Sequence, residues 1–333
     1  MGVEVFDGNP FPDDVLSAWE ALLRKCSFRN PFLTPLWSQL WLSHFGRNME
    51  VKSFLPRSSG GDPIGLGVFS VSRKEGGKRG LTLLGSLDVW DYRDLVLPRG
   101  KEEEALSLLA RFWSEGPWAE LEFSGISEFS PTLRFLPAIL GSCGFQVTQT
   151  VQEISVYLGL PPSWDDFLAG LDSKDRHELR RKIRRLEREP SLEIGEGQGA
   201  DLAARMDSFL DLHRKSRKDK AEFMTPEMEA YFREMARRLE KEGWLSLPYL
   251  RVGGKEIGAY FSFRYEGVEY VYNSGYDTEY ARLSPGIVLA AGCIRRAMEK
   301  GMKVFHFLRG QEDYKYRLGG REEKIYQIQA VKP

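Results

Sequence analysis

The chain repeats one order of elements, and this repeat constrains its fold more than any other feature. The stretch "IGLGVFSVSR" (64–73) resembles "IGAYFSFRY" (257–265), because each begins with Ile-Gly, alternates apolar residues and then reaches Phe-Ser and Arg. Downstream, "LTLLGSLDVWDYRDLVLP" (81–98) corresponds to "EYVYNSGYDTEYARLSP" (269–285), and a helical pattern, a glycine and a short strand follow each. This ordered series predicts two copies of a strand–strand–helix–strand unit.

The repeat predicts an α/β protein with α+β mixed sheets in two lobes. A chain of 333 residues is long for one domain, given a prior of roughly 100–200 residues per domain. The Pro-rich stretch "LGLPPSW" (158–164) is typical of a linker or crossover. We therefore expect an N-terminal lobe at 1–157 and a C-terminal lobe at 158–333.

Composition and the first residues exclude several classes of protein. The formal net charge is −1, which gives the chain as a whole no attraction to nucleic acid or membrane. The beginning, "MGVEVFDGNPFPDD" (1–14), has acidic residues and prolines where a signal peptide has a basic end and an apolar run. No apolar stretch approaches the ~18 residues of a membrane span. The 3 cysteines and 4 histidines are dispersed and lack metal-ligand spacing. We expect a cytoplasmic protein with reduced thiols and no metal, and the sequence leaves its oligomeric state open.

A helix start in the second half has the chemistry of an anion site. In "RLSPGIVLAAG" (282–292), Ser284 suits an N-cap and Pro285 suits the first helical position. Unpaired N–H groups at a helix start attract phosphate or carboxylate, and Gly286 permits a close approach. An ordinary capped helix has the same pattern, so both interpretations stay open. The corresponding "LPRGKEEEALSLL" (97–109) has three glutamates in its first turn, which would repel phosphate, so we expect the anion only in the second half.

Three stretches of the second half resemble a known family. They are "GKEIGAYFSFRY" (254–265), "YVYNSGYDTEYARLSPGIVLAAGCIRRAMEKG" (270–301) and "VFHFLRGQEDYKYRLGG" (304–320). These stretches look like the CelD-type acetyltransferases, a branch of the GNAT acyltransferases that is similar to the FemAB aminoacyltransferases. The repeated element order is also the core order of a GNAT domain. The resemblance implies two tandem GNAT-like lobes in a FemAB-like arrangement. One departure is His306, where the family usually carries Asp.

The resemblance implies acyl transfer from acetyl-CoA or another acyl-CoA, with its pyrophosphate at the helix start. The residues expected to hold this donor lie in the loop and in the strand before it: Arg282, Ser284, Gly286, Ile287, Asn273 and Gly275. The loop is a relaxed version of the pyrophosphate-binding pattern of the family. Aminoacyl-tRNA, the donor of FemAB proteins, therefore stays open as an alternative.

Four residues are candidates for proton transfer. Asp277 and His306 would end adjacent parallel strands, at the edge where open α/β sheets bind ligands, and a histidine titrates near neutral pH. Tyr276 and Tyr314 would donate a proton to the leaving thiolate. A capping role for the aspartate, and core packing for the histidine and the tyrosines, explain the same pattern.

Basic residues are the candidates for binding the acceptor. They are His213, Arg217, Arg309, Lys315, Arg180 and Arg184. The first two lie one turn apart on a predicted helix, and the last two belong to the basic stretch "SKDRHELRRKIRRLERE" (173–189). Such charge density suits a sugar diphosphate or a tRNA backbone. A solvated helix face and surface salt bridges account for the pattern equally.

The leading prediction is an N- or O-acyltransferase in which the second lobe binds the donor and the cleft between the lobes takes the acceptor. The resemblance implies an amino sugar, or a sugar-linked precursor of envelope or exopolysaccharide assembly, as this acceptor. The alternative is a FemAB-like aminoacyltransferase. A third hypothesis is a non-catalytic protein that holds an anionic glycan or RNA.

Overall fold

The computed structural model describes residues 2–8, 10–73, 78–197 and 202–333. The chain divides into two compact units, Met1–Ile154 with Glu323–Pro333, and Ser155–Glu322. This division differs from the expected lobes, 1–157 and 158–333, at two places. The boundary falls inside a strand, because Leu158 and Gly159 of the Pro-rich stretch still pair as strand residues. The last strand belongs to the first unit, because it pairs with a strand there.

The elements are numbered in chain order. The strands are β1 Gly2–Asp7, β2 Val51–Arg57, β3 Gly67–Arg73, β4 Arg79–Leu83, β5 Trp118–Ser127, β6 Gln146–Gly159, β7 Glu193–Gly197, β8 Leu245–Val252, β9 Lys255–Tyr265, β10 Val268–Tyr276, β11 Val304–Arg309 and β12 Arg321–Val331. The α-helices are α1 Asp13–Leu23, α2 Pro35–Phe45, α3 Glu102–Glu115, α4 Pro131–Ser142, α5 Trp164–Gly170, α6 Ser173–Leu186, α7 Leu202–Ser216, α8 Lys218–Phe223, α9 Pro226–Lys241, α10 Pro285–Glu299 and α11 Asp313–Arg317. A 3₁₀ turn, Thr278–Leu283, connects β10 to α10.

The first unit contains strands in the order β1-β2-β3-β4-β5-β12. Its neighbouring strands are antiparallel, except β4 and β5, which run parallel and are joined through α3. The core forms where the apolar stripe of α3 meets the sheet. Trp113 of α3 lies with its ring centroid 5.9 Å from Phe54, 5.4 Å from Phe69 and 5.8 Å from Phe123. An amphipathic helix therefore covers one face of this sheet.

The second unit repeats this construction. Its strands follow the order β6-β11-β10-β9-β8-β7, and β10 and β11 are parallel and joined through α10, whereas the other neighbours are antiparallel. The order β3-β4-α3-β5 thus recurs as β9-β10-α10-β11. This confirms the predicted α/β class with mixed sheets and two repeats of one unit.

Helices cover both faces of the second sheet. Leu289, Ile294 and Ala297 of α10 are buried in one core, which also takes Leu179 and Leu186 of α6. On the other side α7 and α9 pack against β9 and β10. A strand with helices on both sides is apolar on both sides, which explains why β9 is buried from Ile257 to Phe263. The two helix layers hold the carboxyl end of β10 in a fixed place.

Candidate active site

The strands β10 and β11 part from each other at the middle of the second sheet. Their parallel pairing covers only Val268–Tyr270 against residues 304–306. Beyond this point β10 stays paired with β9 as far as Tyr276, after a register shift between Val271 and Asn273. On its β6 side β11 has a second shift, at Leu308, where φ is 58°. Positive φ in a non-glycine residue is strained and concentrates at functional sites.

A cavity of about 310 Å³ lies where β10 ends and α10 begins. Its wall is made by Tyr260, Ser274, Gly275, Tyr276, Ala281, Ser284, Pro285, Gly286, Ile287 and Tyr314. The end of β10, the start of α10 and one side chain of α11 thus meet at a single concave site. Six residues predicted from the sequence, Gly275, Tyr276, Ser284, Gly286, Ile287 and Tyr314, lie together in this wall.

The start of α10 presents unpaired polar groups to this cavity. Ser284 occupies the N-cap position with φ 54° and ψ 50°, and its side chain makes no capping hydrogen bond, contrary to our expectation. The left-handed backbone accounts for the difference, and the hydroxyl instead accepts a hydrogen bond from Lys182 at 3.2 Å. Among the described residues the Gly286 N–H has no acceptor, while the Gly286 carbonyl accepts from Tyr260 at 2.7 Å. The first turn therefore keeps a free donor at the positive end of the helix.

The basic helix α6 lies beside this helix start. Lys182 is 2.9 Å from Glu178 and also bonds Ser284, and Arg185 donates to the Arg282 carbonyl at 2.7 Å. The Arg282 side chain is exposed and lies 3.6 Å from a carboxylate oxygen of Glu189. Three cations thus lie beside the first turn of α10. Glu178 and Glu189 offset the charges of Lys182 and Arg282, and the charge of Arg185 adds to that of the helix dipole.

The two tyrosines predicted to donate protons both line the cavity. The side chain of Tyr314 packs edge-on against Phe307, with ring centroids 6.1 Å apart. Burial raises the pKa of the Tyr314 hydroxyl above its ordinary value. This hydroxyl therefore keeps its proton at neutral pH and can donate it to a developing anion.

The two residues predicted as bases lie outside the cavity wall. His306 is buried in the sheet, its ring stacks on Tyr270 at 5.5 Å, and its Nδ1 accepts a hydrogen bond from the Leu308 N–H at 3.0 Å. Asp277 is buried and accepts from the Glu279 N–H at 3.0 Å, capping the 3₁₀ turn. Its hydrogen bond with Lys255, at 2.9 Å, lowers the pKa of the carboxyl group. Both side chains hold the backbone around the site.

Lys315 is a structural residue of the turn after β11. Its side chain is buried, and Nζ donates to the carbonyl oxygens of Leu308, Arg309 and Gly310 at 3.2, 2.7 and 3.0 Å. The same Nζ also lies 3.0 Å from a carboxylate oxygen of Glu312. The ammonium group therefore fixes the turn that carries Tyr314, and the expected contact of Lys315 with an acceptor is replaced by these four contacts.

His213 and Arg217 do not lie in one cleft. His213 is 1% exposed, and its Nε2 lies 3.0 Å from Asn273 Oδ1. Burial, followed by the charge of Lys220, lowers the pKa of His213 to about 4, so the ring is neutral at pH 7. Arg217 is exposed and its Nε donates to Asp219 at 2.9 Å. Asn273, expected to contact the donor, instead orients the His213 ring.

Gly275 has a packing role as well as a place in the wall. A Cβ at this position would lie 2.3 Å from the backbone nitrogen of His213. Only glycine lets α7 approach β10 this closely.

Arg180 and Arg184 line a different pocket. It has a volume of about 650 Å³ and lies between α5, α6 and α10. Trp164, Arg176 and Arg295 contribute to its wall. Within the described part of the chain, neither Arg180 nor Arg184 has a carboxylate within ion-pair distance. Glu187 also lies in this wall and Arg295 pairs with Glu299 at 3.2 Å, so the positive charge without a carboxylate partner is that of Arg180 and Arg184.

Sequence reasoning missed Lys220 on α8. Its Nζ donates to the Ser274 carbonyl oxygen and lies 3.3 Å from Ser274 Oγ, so the amine is one hydrogen bond from the cavity wall. Burial, followed by the charge of Arg217, lowers the pKa of Lys220 to about 8. The residue stands in the charged run "HRKSRKDK" (213–220), in which no local signal separates a half-buried lysine from exposed ones.

Two features are absent from the described residues. None of the helices combines the length and the apolar composition that a bilayer crossing needs. No group of three or more His, Cys, Asp or Glu side chains converges there as a metal site would require.

A family comparison identifies the second unit. Residues 173–316 match the family model described as "Acetyltransferase (GNAT) domain". This stretch runs from α6 to α11 and contains every residue of the cavity wall. No curated protein matches the chain.

Solved structures share the fold at low sequence identity. FemX has a TM-score of 0.65 and 9% identity, over 97% of this chain and 96% of that chain. The C-terminal domain of a putative lysylphosphatidylglycerol synthetase from Agrobacterium fabrum has a TM-score of 0.56 and 12% identity, over 96% and 92%. A tandem GNAT protein from the clavulanic acid biosynthesis pathway has a TM-score of 0.54 and 13% identity, over 99% of both chains. The family match assigns an acetyltransferase (GNAT) domain to residues 173–316 and supports an acyltransferase enzyme, and the solved structures show that the whole chain shares the fold of FemX and of a tandem GNAT protein.

Proposed function

We propose that the second unit binds an acyl-CoA, acetyl-CoA being the simplest, and transfers its acyl group to an acceptor. The observation that carries this proposal is the cavity at the start of α10, beside the point where β10 and β11 part. The free Gly286 N–H, with Lys182 and Arg185 nearby, suits a pyrophosphate. Arg282 and Ile287 flank the same turn. The end of β10 at Gly275 offers backbone groups to the acyl-bearing arm.

Tyr314 supplies the proton for the leaving group. When the nucleophile attacks the thioester carbonyl carbon, the new bond forms as the C–S bond breaks and the sulphur leaves as a thiolate. The Tyr314 hydroxyl, whose pKa burial raises, remains protonated until this charge appears and then passes its proton to sulphur. Tyr276, at the end of β10, lines the same cavity and orients the donor.

The acceptor we propose is an amino sugar, or a sugar-linked precursor of a polysaccharide or the cell envelope. The resemblance to CelD-type enzymes supports this choice. A cytoplasmic location and a role in exopolysaccharide assembly follow from the same resemblance.

The second candidate is transfer from aminoacyl-tRNA, as the resemblance to FemAB proteins implies. The pocket at Arg180 and Arg184 favours this candidate, because cations without carboxylate partners suit a phosphate backbone. The match of residues 173–316 to an acetyltransferase domain favours an enzyme over the third hypothesis, a non-catalytic binding protein.

Calorimetric titration with acetyl-CoA and CoA tests the proposal. Gly286→Glu places a carboxylate at the start of α10, where a Cβ has room because its nearest neighbour is Tyr276 Cδ1 at 3.9 Å. A charge pair about 5 Å apart at an effective dielectric constant of ~20 is worth about 3 kcal/mol, so we expect affinity to fall at least ~100-fold. Gly141→Glu, on α4 with nothing within 4 Å of its Cβ, is the matched control and keeps normal affinity.

The titration separates the two candidates. No binding of either ligand to the wild-type protein at millimolar concentration would overturn the acyl-CoA proposal. Titration with aminoacyl-tRNA would then test the alternative, with Arg180→Glu and Arg184→Glu as the variants expected to weaken that binding.

A further inference from the structure

Lys220 contacts the cavity wall through Ser274. It lies on α8, and its side chain extends to the carboxyl end of β10, where Nζ contacts both the carbonyl and the hydroxyl oxygen of Ser274. Ser274 belongs to the cavity wall. The amine therefore lies beside the last residues of β10, next to the gap that opens between β10 and β11.

No carboxylate pairs with Lys220 within the described part of the chain. The charged groups that face it come from its own segment, from α7 and from the β11–α11 turn: Arg217, Asp219, His213, Glu312 and Lys315. Both acids in this set already have partners, because Asp219 pairs with Arg217 and Glu312 pairs with Lys315. The environment therefore lowers the pKa of Lys220, so that a larger share of the amine is neutral near pH 8 than for an exposed lysine.

The hydrogen bonds of Lys220 are compatible with the neutral form that a base needs. A neutral amine has two N–H donors and one lone pair, and Ser274 provides two oxygen atoms that can accept from the two donors. In that form the lone pair is available to take a proton, because no carboxylate pairs with Nζ among the described residues. Lys315, the other lysine near the site, has three carbonyl acceptors and one carboxylate, which is the environment of an ammonium ion.

We propose that Lys220 is the catalytic base of the second unit and that the acceptor is an amine, whose ammonium form Lys220 deprotonates; this rests on the proposed acyl transfer. The acceptor nitrogen begins as an ammonium group and loses two protons on the way to the amide. One proton moves to the Lys220 nitrogen, which frees the lone pair that attacks the acyl carbon. The C–S bond breaks and the thiolate takes the proton of the Tyr314 hydroxyl. The second proton then leaves the nitrogen and returns to the Tyr314 oxygen, which restores the hydroxyl. The proton on Lys220 passes to solvent before the next turnover.

An amine acceptor follows from the strength of this base. General-base catalysis is most effective when the proton donor and the base have similar pKa values. An ammonium group satisfies this condition with Lys220, whereas a sugar hydroxyl is a far weaker acid. The inference therefore narrows the acceptor from an amine or a hydroxyl to an amine.

The kinetic test uses acetyl-CoA with D-glucosamine, and with D-glucose as the hydroxyl counterpart, followed through the release of the CoA thiol. Lys220→Met and Lys220→Arg are both expected to lower kcat about 10²–10⁴-fold, the usual contribution of a general base, without changing the Kd for CoA. Lys218→Gln, at an exposed lysine on the same helix, is expected to match the wild type. The wild-type rate should rise with pH and level above about 8, and both Lys220 variants should stay below the wild type throughout this range. Full activity in Lys220→Arg would overturn the inference, since arginine keeps a positive charge but cannot act as a base.

A titration by NMR needs no acceptor. In protein carrying ¹³C-labelled lysine, the Cε resonance that Lys220→Arg removes should titrate near pH 8, apart from the other lysines. A midpoint near 10.5 would overturn the role of Lys220 whatever the acceptor is. Acetyl-CoA binding is measured on the same samples, so that failure of the donor site and failure of Lys220 are distinguished.

Discussion

The buried ring of His213 should make the stability of the second unit depend on pH. In the folded protein its pKa is about 4, whereas the ordinary value is 6.5. Because the unfolded chain binds a proton that the folded protein excludes, the stabilisation is complete above pH 6.5 and is lost as the pH falls towards 4. For these two values the loss at pH 5, relative to pH 7.5, is about 2 kcal/mol.

The variant His213→Gln isolates the contribution of this histidine to the pH dependence. It keeps a side-chain amide near Asn273 and removes the ionisable ring. Urea unfolding at pH 7.5 and pH 5 gives the free energy of unfolding, and amide hydrogen exchange in peptides from β10 and α7 assigns the change to the second unit. The wild type should lose about 2 kcal/mol more than the variant between these pH values. His177→Gln, at an exposed histidine on α6, should behave as the wild type. Equal pH dependence in the wild type and His213→Gln would refute the reasoning.

Three further substitutions test the parts of the site. Gly275→Ala forces a Cβ to within 2.3 Å of the α7 backbone, and overpacking of this kind should cost about 1–3 kcal/mol in urea unfolding; an unchanged midpoint would contradict it. Lys315→Met leaves three carbonyl oxygens and Glu312 without their cation. We expect the free energy of unfolding in urea to fall by about 3 kcal/mol. A loss of activity at full stability would instead assign Lys315 to catalysis. Tyr314→Phe should lower kcat about 10²-fold while KM for acetyl-CoA stays constant, in steady-state assays of thiol release; a change in KM alone would give the hydroxyl a binding role.

Local patterns in the sequence were sufficient to predict the order of the helices and strands and several residues of the cavity wall. The matched series in the two halves predicted β9, β10, α10 and β11 in their observed order, because strand and helix periods are set by which face of an element is buried. The Ser-Pro-Gly start of α10 and the two tyrosines also lie in one cavity. These residues are close in space because the order of elements itself brings the end of β10, the start of α10 and the turn after β11 to one edge.

The boundary between the units could not be predicted in the same way. The Pro-rich stretch after Gly159 has the composition of a linker, yet Leu158 and Gly159 pair with β11, and the last strand pairs with β5. Strand pairing joins residues that are far apart in the chain. The local composition near a proline therefore does not indicate which strands pair.

The sequence by itself determined which polar residues are available near the site. Only the tertiary structure decided which of them are engaged in hydrogen bonds or lose their charge through contact with neighbouring groups. Asp277 caps a turn, Lys315 fills a ring of carbonyl oxygens, and His213 loses its charge against β10. Lys220, in a run of charges, contacts the cavity wall at Ser274 and has no carboxylate partner among the described residues. The physical reason is that burial and hydrogen-bond partners set the protonation state of a side chain, and both depend on elements distant in the sequence.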